Sequence, residues 1–276
     1  MKKLILFALI IGTVHVHGQG LKTPAASTTQ SVKQDFGLST VELSYSRPNM
    51  KGRNIFGDLV PYNAVWRTGA NSATTLTFVD EVTIGGTKVP AGKYGLLSIP
   101  GTAEWTFIIT KQTDVTSPAA YKQDQDVVRV KAYPQTMPFS IETFMILFSD
   151  VTATSMNLML VWDNISVSLP IKTDIESKVM AQIEEGMKSD KKPYYAAAMY
   201  YVENGKDLKK AAEWFAEACK QSPDAFWIFY QTASCYAKIG RKEEAKAAAN
   251  KSIELATAAK NSDYVALNKK LLEKLN

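Results

Sequence analysis

The hydrophobic period changes once along this chain, near Pro170, from two residues to between three and four. A period of two puts successive side chains on opposite faces of a strand, and the longer period marks one face of a helix. We therefore expect an α+β multidomain protein: an N-terminal antiparallel β-sandwich over residues 19–170, then a C-terminal α-helical region over residues 171–276. A composition of 46% hydrophobic and 21% charged residues suits folded domains and excludes a disordered or collagen-like chain.

In the β half, Met156, Leu158, Leu160 and Trp162 share one face, as do Ile165, Val167 and Leu169. Asp163 and Asn164 between them read as a two-residue hairpin turn, since both types tolerate positive φ. Turn signals at Gly85-Gly86, Pro90-Ala91-Gly92 and Pro100-Gly101 place strands near 74–84, 93–99 and 104–111. Ser27–Phe36, Thr40–Ser46 and Val128–Ala132 add three more, and Phe144–Phe148 reads as a strand buried on both faces. In the helical half, Thr173-Asp174-Ile175-Glu176 has the form of a capping box opening a helix that runs to Lys188. A charged linker, Ser189–Pro193, follows.

Two features concern the compartment. Lys2 and Lys3, the apolar run Leu4–Gly12, and the less apolar Thr13–Gly18 with a small residue before Gln19 match a secretory signal peptide over residues 1–18, with cleavage after Gly18. We expect an exported protein, periplasmic or secreted, with no transmembrane segment. His15 and His17 are the only histidines, so a chain beginning at Gln19 would have none. That excludes Ser-His-Asp and Cys-His nucleophiles and histidine-held zinc. Cys219 and Cys235 lie roughly 9 Å out of level in a helical hairpin turning at Pro223, which favours two separate buried thiols over a bridge.

Net charge is +5, but residues 19–170 carry twelve bases against twelve acids and residues 171–276 eighteen against fifteen. No continuous basic stripe results, and no nucleic-acid partner is expected.

Ala211, Phe215 and Ala218 are matched 34 residues later by Ala245, Ala249 and Ser252. With Ala198, Tyr201, Pro223, Ala233, Tyr236 and Gly240, they resemble the tetratricopeptide repeat family. Thr232, Ala249 and Ser252 are smaller than that pattern has, and no Pro closes the second unit. Two such units and a last helix, Ser262–Leu275, imply either a groove for a protein partner or an appendage that packs structurally, because arrays normally need about three repeats to stand alone.

Tyr45-Ser46-Arg47-Pro48-Asn49-Met50-Lys51-Gly52-Arg53, Ile55-Phe56-Gly57, Val60-Pro61-Tyr62, Val65–Asn71 and Pro90–Leu96 together resemble a family of exported bacterial proteins, domain of unknown function 2911. The resemblance spans approximately residues 20–170 and implies no activity, cofactor or catalytic residue.

About 27 aperiodic residues separate the strands ending near Ser46 and starting near Thr74, and loops of that length are usually functional or disordered. Phe56, Tyr62, Val65 and Trp66 are too apolar to be left in water. Arg47, Lys51, Arg53 and Arg67 face only Asp58 nearby in sequence. With Tyr62, Trp66, Asn71 and Tyr94, these cations are candidate ligand-binding residues for an anionic or glycan ligand. A second reading fits the same residues: arginines bonding backbone carbonyls that lack a strand partner, and Trp66 anchoring one end of the core.

No catalytic or metal-ligating set emerges, and no cofactor is implied. Ser189-Asp190-Lys191-Lys192 fits S-x-x-K but lacks the companion motifs. Asp124 and Asp126 lack the rest of a calcium loop. Met145, Met156 and Met159 sit at strand spacing and read as core filling. Asp58, Asp80, Glu81, Glu104 and Asp150 show no diagnostic spacing for paired-carboxylate hydrolysis. The leading expectation is an exported non-enzymatic binding or assembly protein. The alternatives are a histidine-free carbohydrate-active hydrolase and a purely structural protein.

Overall fold

A computed structural model describes residues 23–275; the expected signal peptide lies outside the described residues. Antiparallel sheets form the N-terminal part and six helices the C-terminal part. The chain divides into two compact units between Asp174 and Ile175.

The first unit has β1 (Thr28–Phe36), β2 (Ser39–Arg47), β3 (Thr75–Phe78), β4 (Val82–Ile84), β5 (Thr87–Val89), β6 (Gly92–Ile99), β7 (Trp105–Thr110), β8 (Asp126–Ala132), β9 (Gln135–Ser149) and β10 (Ser155–Lys172). One sheet has the order β1-β2-β3-β6-β7-β8 and the other β5-β4-β10-β9, with every pair antiparallel. Leu43, Leu76, Leu96 and Phe107 from the first sheet and Ile84, Leu158, Leu160 and Trp162 from the second belong to one buried cluster. That shared core makes the unit a β-sandwich. Burying each such side chain contributes about 1.5–3 kcal/mol.

Gly85 and Gly86 turn β4 into β5 with φ of +57° and +81°. A two-residue turn with both φ positive matches the twist of the strands, and glycine supplies it without steric cost. Added bulk at Gly85 would also meet Val130, whose Cγ2 lies 2.4 Å from where a Cβ would sit.

Four expectations need correction. The strand near 74–84 is two strands, β3 and β4, which belong to different sheets and are joined by Val79-Asp80-Glu81. Asp163-Asn164 is not a hairpin turn but the middle of β10, because β9 continues alongside to pair with both halves. Asp163 does have positive φ, +51°. It uses it where the register shifts: between Val161↔Met145 and Ile165↔Thr136, β10 advances four positions and β9 nine. The segment 144–148 is not buried on both faces, since Phe144 and Ile146 are buried while Met145 and Leu147 remain partly exposed. Finally, Thr173 does not cap the first helix: its hydroxyl donates to the Glu81 carbonyl at 3.3 Å, and the capping position is Ile175, with no side-chain cap.

The second unit holds α1 (Glu176–Gly186), α2 (Tyr194–Glu203), α3 (Leu208–Gln221), α4 (Phe226–Lys238), α5 (Lys242–Ala258) and α6 (Ser262–Glu273). From α2 onward each helix packs on the next. Asp207 caps α3 by accepting from the backbone N–H groups of Lys209 and Lys210, and Asn261 caps α6 through that of Tyr264. Ala198, Ala211, Ala233, Ala245, Ala249 and Ser252 are all fully buried, so small side chains let these helices approach closely. Cys219 and Cys235 are free thiols, the first half-buried and the second buried. No helix among the described residues is long and apolar enough to cross a membrane.

Candidate functional site

The segment between β2 and β3 is ordered by bonds to both sheets. Past Thr75, where β3 begins, Trp66 lies beside β6, exchanging backbone hydrogen bonds with Ser98 at 2.7 and 3.0 Å. Thr68 follows, buried, with φ of +55°, a costly conformation for a β-branched residue. It is held there by a 2.9 Å hydroxyl contact with Ser98 and a 2.7 Å bond from the Thr74 hydroxyl to its carbonyl. Gly69 must be small: a Cβ there would lie 2.9 Å from the Thr74 hydroxyl and 3.0 Å from the Ser46 carbonyl.

The other anchor is the register shift of β9. Excess residues there free Glu142 to accept three bonds: its carbonyl takes the Met50 N–H at 2.8 Å and the Trp162 indole N–H at 3.2 Å, and its carboxylate takes the Lys51 N–H at 2.9 Å. Beside it, Phe144 N–H donates to the Pro48 carbonyl at 2.9 Å, and the Thr143 hydroxyl donates to the Asn49 side chain at 2.7 Å.

Between these anchors, Phe56, Trp66, Trp105, Phe144 and Trp162 form an aromatic cluster. Trp66 stacks on Trp162 with centroids 6.0 Å apart and planes 18° from parallel, and the Trp66 indole N–H donates to the Gly69 carbonyl at 3.1 Å. Both tryptophans reach the wall of a cavity of about 440 Å³, a size ordinary for small-ligand sites. Leu59, Pro61, Ala64 and Val65 extend the apolar wall, and Thr116, Ser117 and Pro118 close it from the loop after β7.

Three cations line this cavity, Lys51, Arg53 and Arg67, and no acidic residue does. Among the described residues, none of the three is in a salt bridge. Arg53 is exposed and donates to the carbonyls of Met50 at 2.8 Å and Asn49 at 2.6 Å. Arg67 donates through Nη1 to the Thr116 carbonyl, and its buried Nε has no hydrogen-bond partner. The arginines thus make the backbone bonds that the structural reading of this loop anticipates, and among the described residues neither is in a salt bridge.

Of the eight candidate residues, Lys51, Arg53, Trp66 and Arg67 meet at the cavity. Arg47, Tyr62, Asn71 and Tyr94 are not among its lining. Arg47 donates to the Phe144 carbonyl at 3.1 Å, outside the cavity. Tyr62 is exposed and packs on Gly57, where its ring would block a Cβ at 2.7 Å. Asn71 donates to the Ser27 carbonyl at 3.0 Å, and Tyr94 is buried against Phe78 with its hydroxyl on the Pro90 carbonyl at 3.0 Å. Sequence reasoning missed Leu59, Thr116 and Trp162. The loop 111–125 is itself long and aperiodic, a signal that could have flagged Thr116, whereas Trp162 lies in an ordinary alternating strand.

The residues that anchor this loop fall inside a family match covering residues 27–171, more than half of the chain. The chain belongs to the DUF2911 family. DUF2911 is described as a protein of unknown function, so membership adds no activity to the geometry. Comparisons with curated proteins and with solved structures gave no match. Among the described residues, no group of three or more side chains could hold a metal ion.

Proposed function

We propose that this chain is an exported, non-enzymatic binding protein whose β unit takes an anionic or glycan ligand into the cavity lined by Lys51, Arg53, Trp66 and Arg67. One observation carries the reading: three cations and no acid surround an apolar cavity of about 440 Å³. Unpaired cations beside low-dielectric walls raise the local concentration of anions. Paired-carboxylate hydrolysis has no carboxylate to draw on in this lining.

On this reading the helical unit is a short tetratricopeptide-like array offering a surface to a protein partner. The fully buried small residues at its helix contacts support that view. Export rests on Lys2, Lys3 and Leu4–Gly12, and is checked by amino-terminal sequencing of the protein recovered outside the cytoplasm, which should begin at Gln19.

The test of the site is calorimetric titration with a panel of small carboxylates, sulfates and acidic sugars against wild type, Lys51→Ala and Arg53→Ala. Lys51 is exposed, so its substitution should lower affinity at unchanged melting, whereas Arg53→Ala should lower affinity and also, somewhat, the melting temperature, because it loses the bonds to the Met50 and Asn49 carbonyls. Equal affinity in all three proteins, or no binding of any anion, would overturn the proposal.

A further inference from the structure

The cavity is well supplied with donors and short of acceptors. Its lining side chains offer as acceptors only Asn49 and the hydroxyls of Ser27, Thr116 and Ser117, and the Asn49 side-chain oxygen already accepts from Thr143. A sugar ring presents several hydroxyl donors, and each one buried without a partner costs about 1–3 kcal/mol. The wall is instead apolar, from Leu59, Val60, Val65, Trp66 and Trp162.

Arg67 defines the polar end. Its Nη1 is committed to the Thr116 carbonyl, which fixes the guanidinium plane, and its Nε is buried and unpartnered. The Nε edge is closed to an atom the size of a carboxylate oxygen, so an anion meets Arg67 through its Nη groups, whose planar fork still suits two oxygens. Lys51 and Arg53 are exposed, which suits attraction of an anion more than burial with it.

We infer that the ligand is a small carboxylic acid with an apolar, aromatic or branched body, its carboxylate paired with the Arg67 guanidinium and its body against Trp66, Trp162 and Leu59. This rests on the proposal that the cavity is an anion site, and narrows it by setting glycans aside.

The experiment is calorimetry on the full chain with four probes: phenylacetate, its neutral isostere phenylacetamide, acetate and glucuronate. Phenylacetate should bind at least about tenfold more tightly than the amide, the acetate and the sugar acid. Arg67→Lys, which keeps the charge but loses the fork, should weaken phenylacetate about tenfold or more. Leu59→Asn, at an exposed position, should weaken phenylacetate and leave acetate unchanged, which keeps the test valid if the Arg67 variant fails to fold. Binding of glucuronate without phenylacetate would overturn this inference and leave the anion site standing. Equal binding of phenylacetate and phenylacetamide would also overturn it, and no anion binding at all would remove both.

Discussion

The Tyr45 hydroxyl accepts the backbone N–H of Ile146 at 2.9 Å, tying β2 of one sheet to β9 of the other across the core. The same hydroxyl donates to the Gln30 side chain at 2.8 Å. Burial pushes the Tyr45 hydroxyl above the usual tyrosine range. Tyr45→Phe keeps the ring but leaves the Ile146 N–H buried without its partner. We expect a loss of about 1–3 kcal/mol, seen as a lower denaturant midpoint at unchanged slope.

Burial first, and then the 2.5 Å hydrogen bond to Asp126, push Tyr121 up to about 12. The Arg129 guanidinium bonds both partners and opposes that shift in part. A folded-state pKa above the ordinary value of 10.0 means the contribution is fully present below about pH 10 and is lost as pH rises toward about 12. Thermal unfolding followed across that window should show the wild type losing more stability than Tyr121→Phe, which has no proton to release there.

Gly95 lets the loop 111–125 lie on β6. A Cβ at this position would sit 2.1 Å from the Gln112 carbonyl oxygen, which is backbone and cannot rotate away. Gly95→Ala should cost about 1–3 kcal/mol and speed hydrogen exchange over 111–125. Thr116 moves with that loop, so ligand affinity should fall in the same variant.

In the helical unit the contrast is between neighbours on α5. Ala249 is fully buried and Ala247 is exposed. Leucine at Ala249 should cost about 1–3 kcal/mol by overpacking, while Ala247→Leu should change melting little. Equal effects would mean the close helix contact is not made.

Cys219 and Cys235 are free, and burial raises both thiols above their ordinary range. Reductant should therefore leave the melting temperature unchanged, and a thiol reagent should react with Cys235 only as the helices unfold.

The two hydrophobic periods made the two classes of structure legible, and Gly85-Gly86 revealed its turn because only one backbone conformation wants two glycines there. Ala211 and Ala245 were readable as helix contacts because small residues recur there 34 positions apart. What escaped were features set by distant partners. Asp163-Asn164 has the local chemistry of a turn, yet β9 runs past it and holds both flanks in one strand. Thr173 has the spacing of a cap, but the Glu81 carbonyl claims its hydroxyl. The cations of the loop after β2 were visible as unbalanced charge. That Arg53 and Arg67 share a cavity while Arg47 lies elsewhere depends on where Glu142 and Ser98 pin the chain, which no local pattern reports.

The residues that position Lys51 also protect the molecule from its own kind. β9 is fifteen residues long and has a strand partner on one side only, the arrangement by which sheets recruit further chains. Pro48 and Met50 occupy backbone groups of Phe144 and Glu142 on its open side. Proline has no N–H to extend the ladder further. A nick or insertion near Pro48 would therefore uncover a sticky strand margin as well as disturb the cavity, linking loss of binding to self-association.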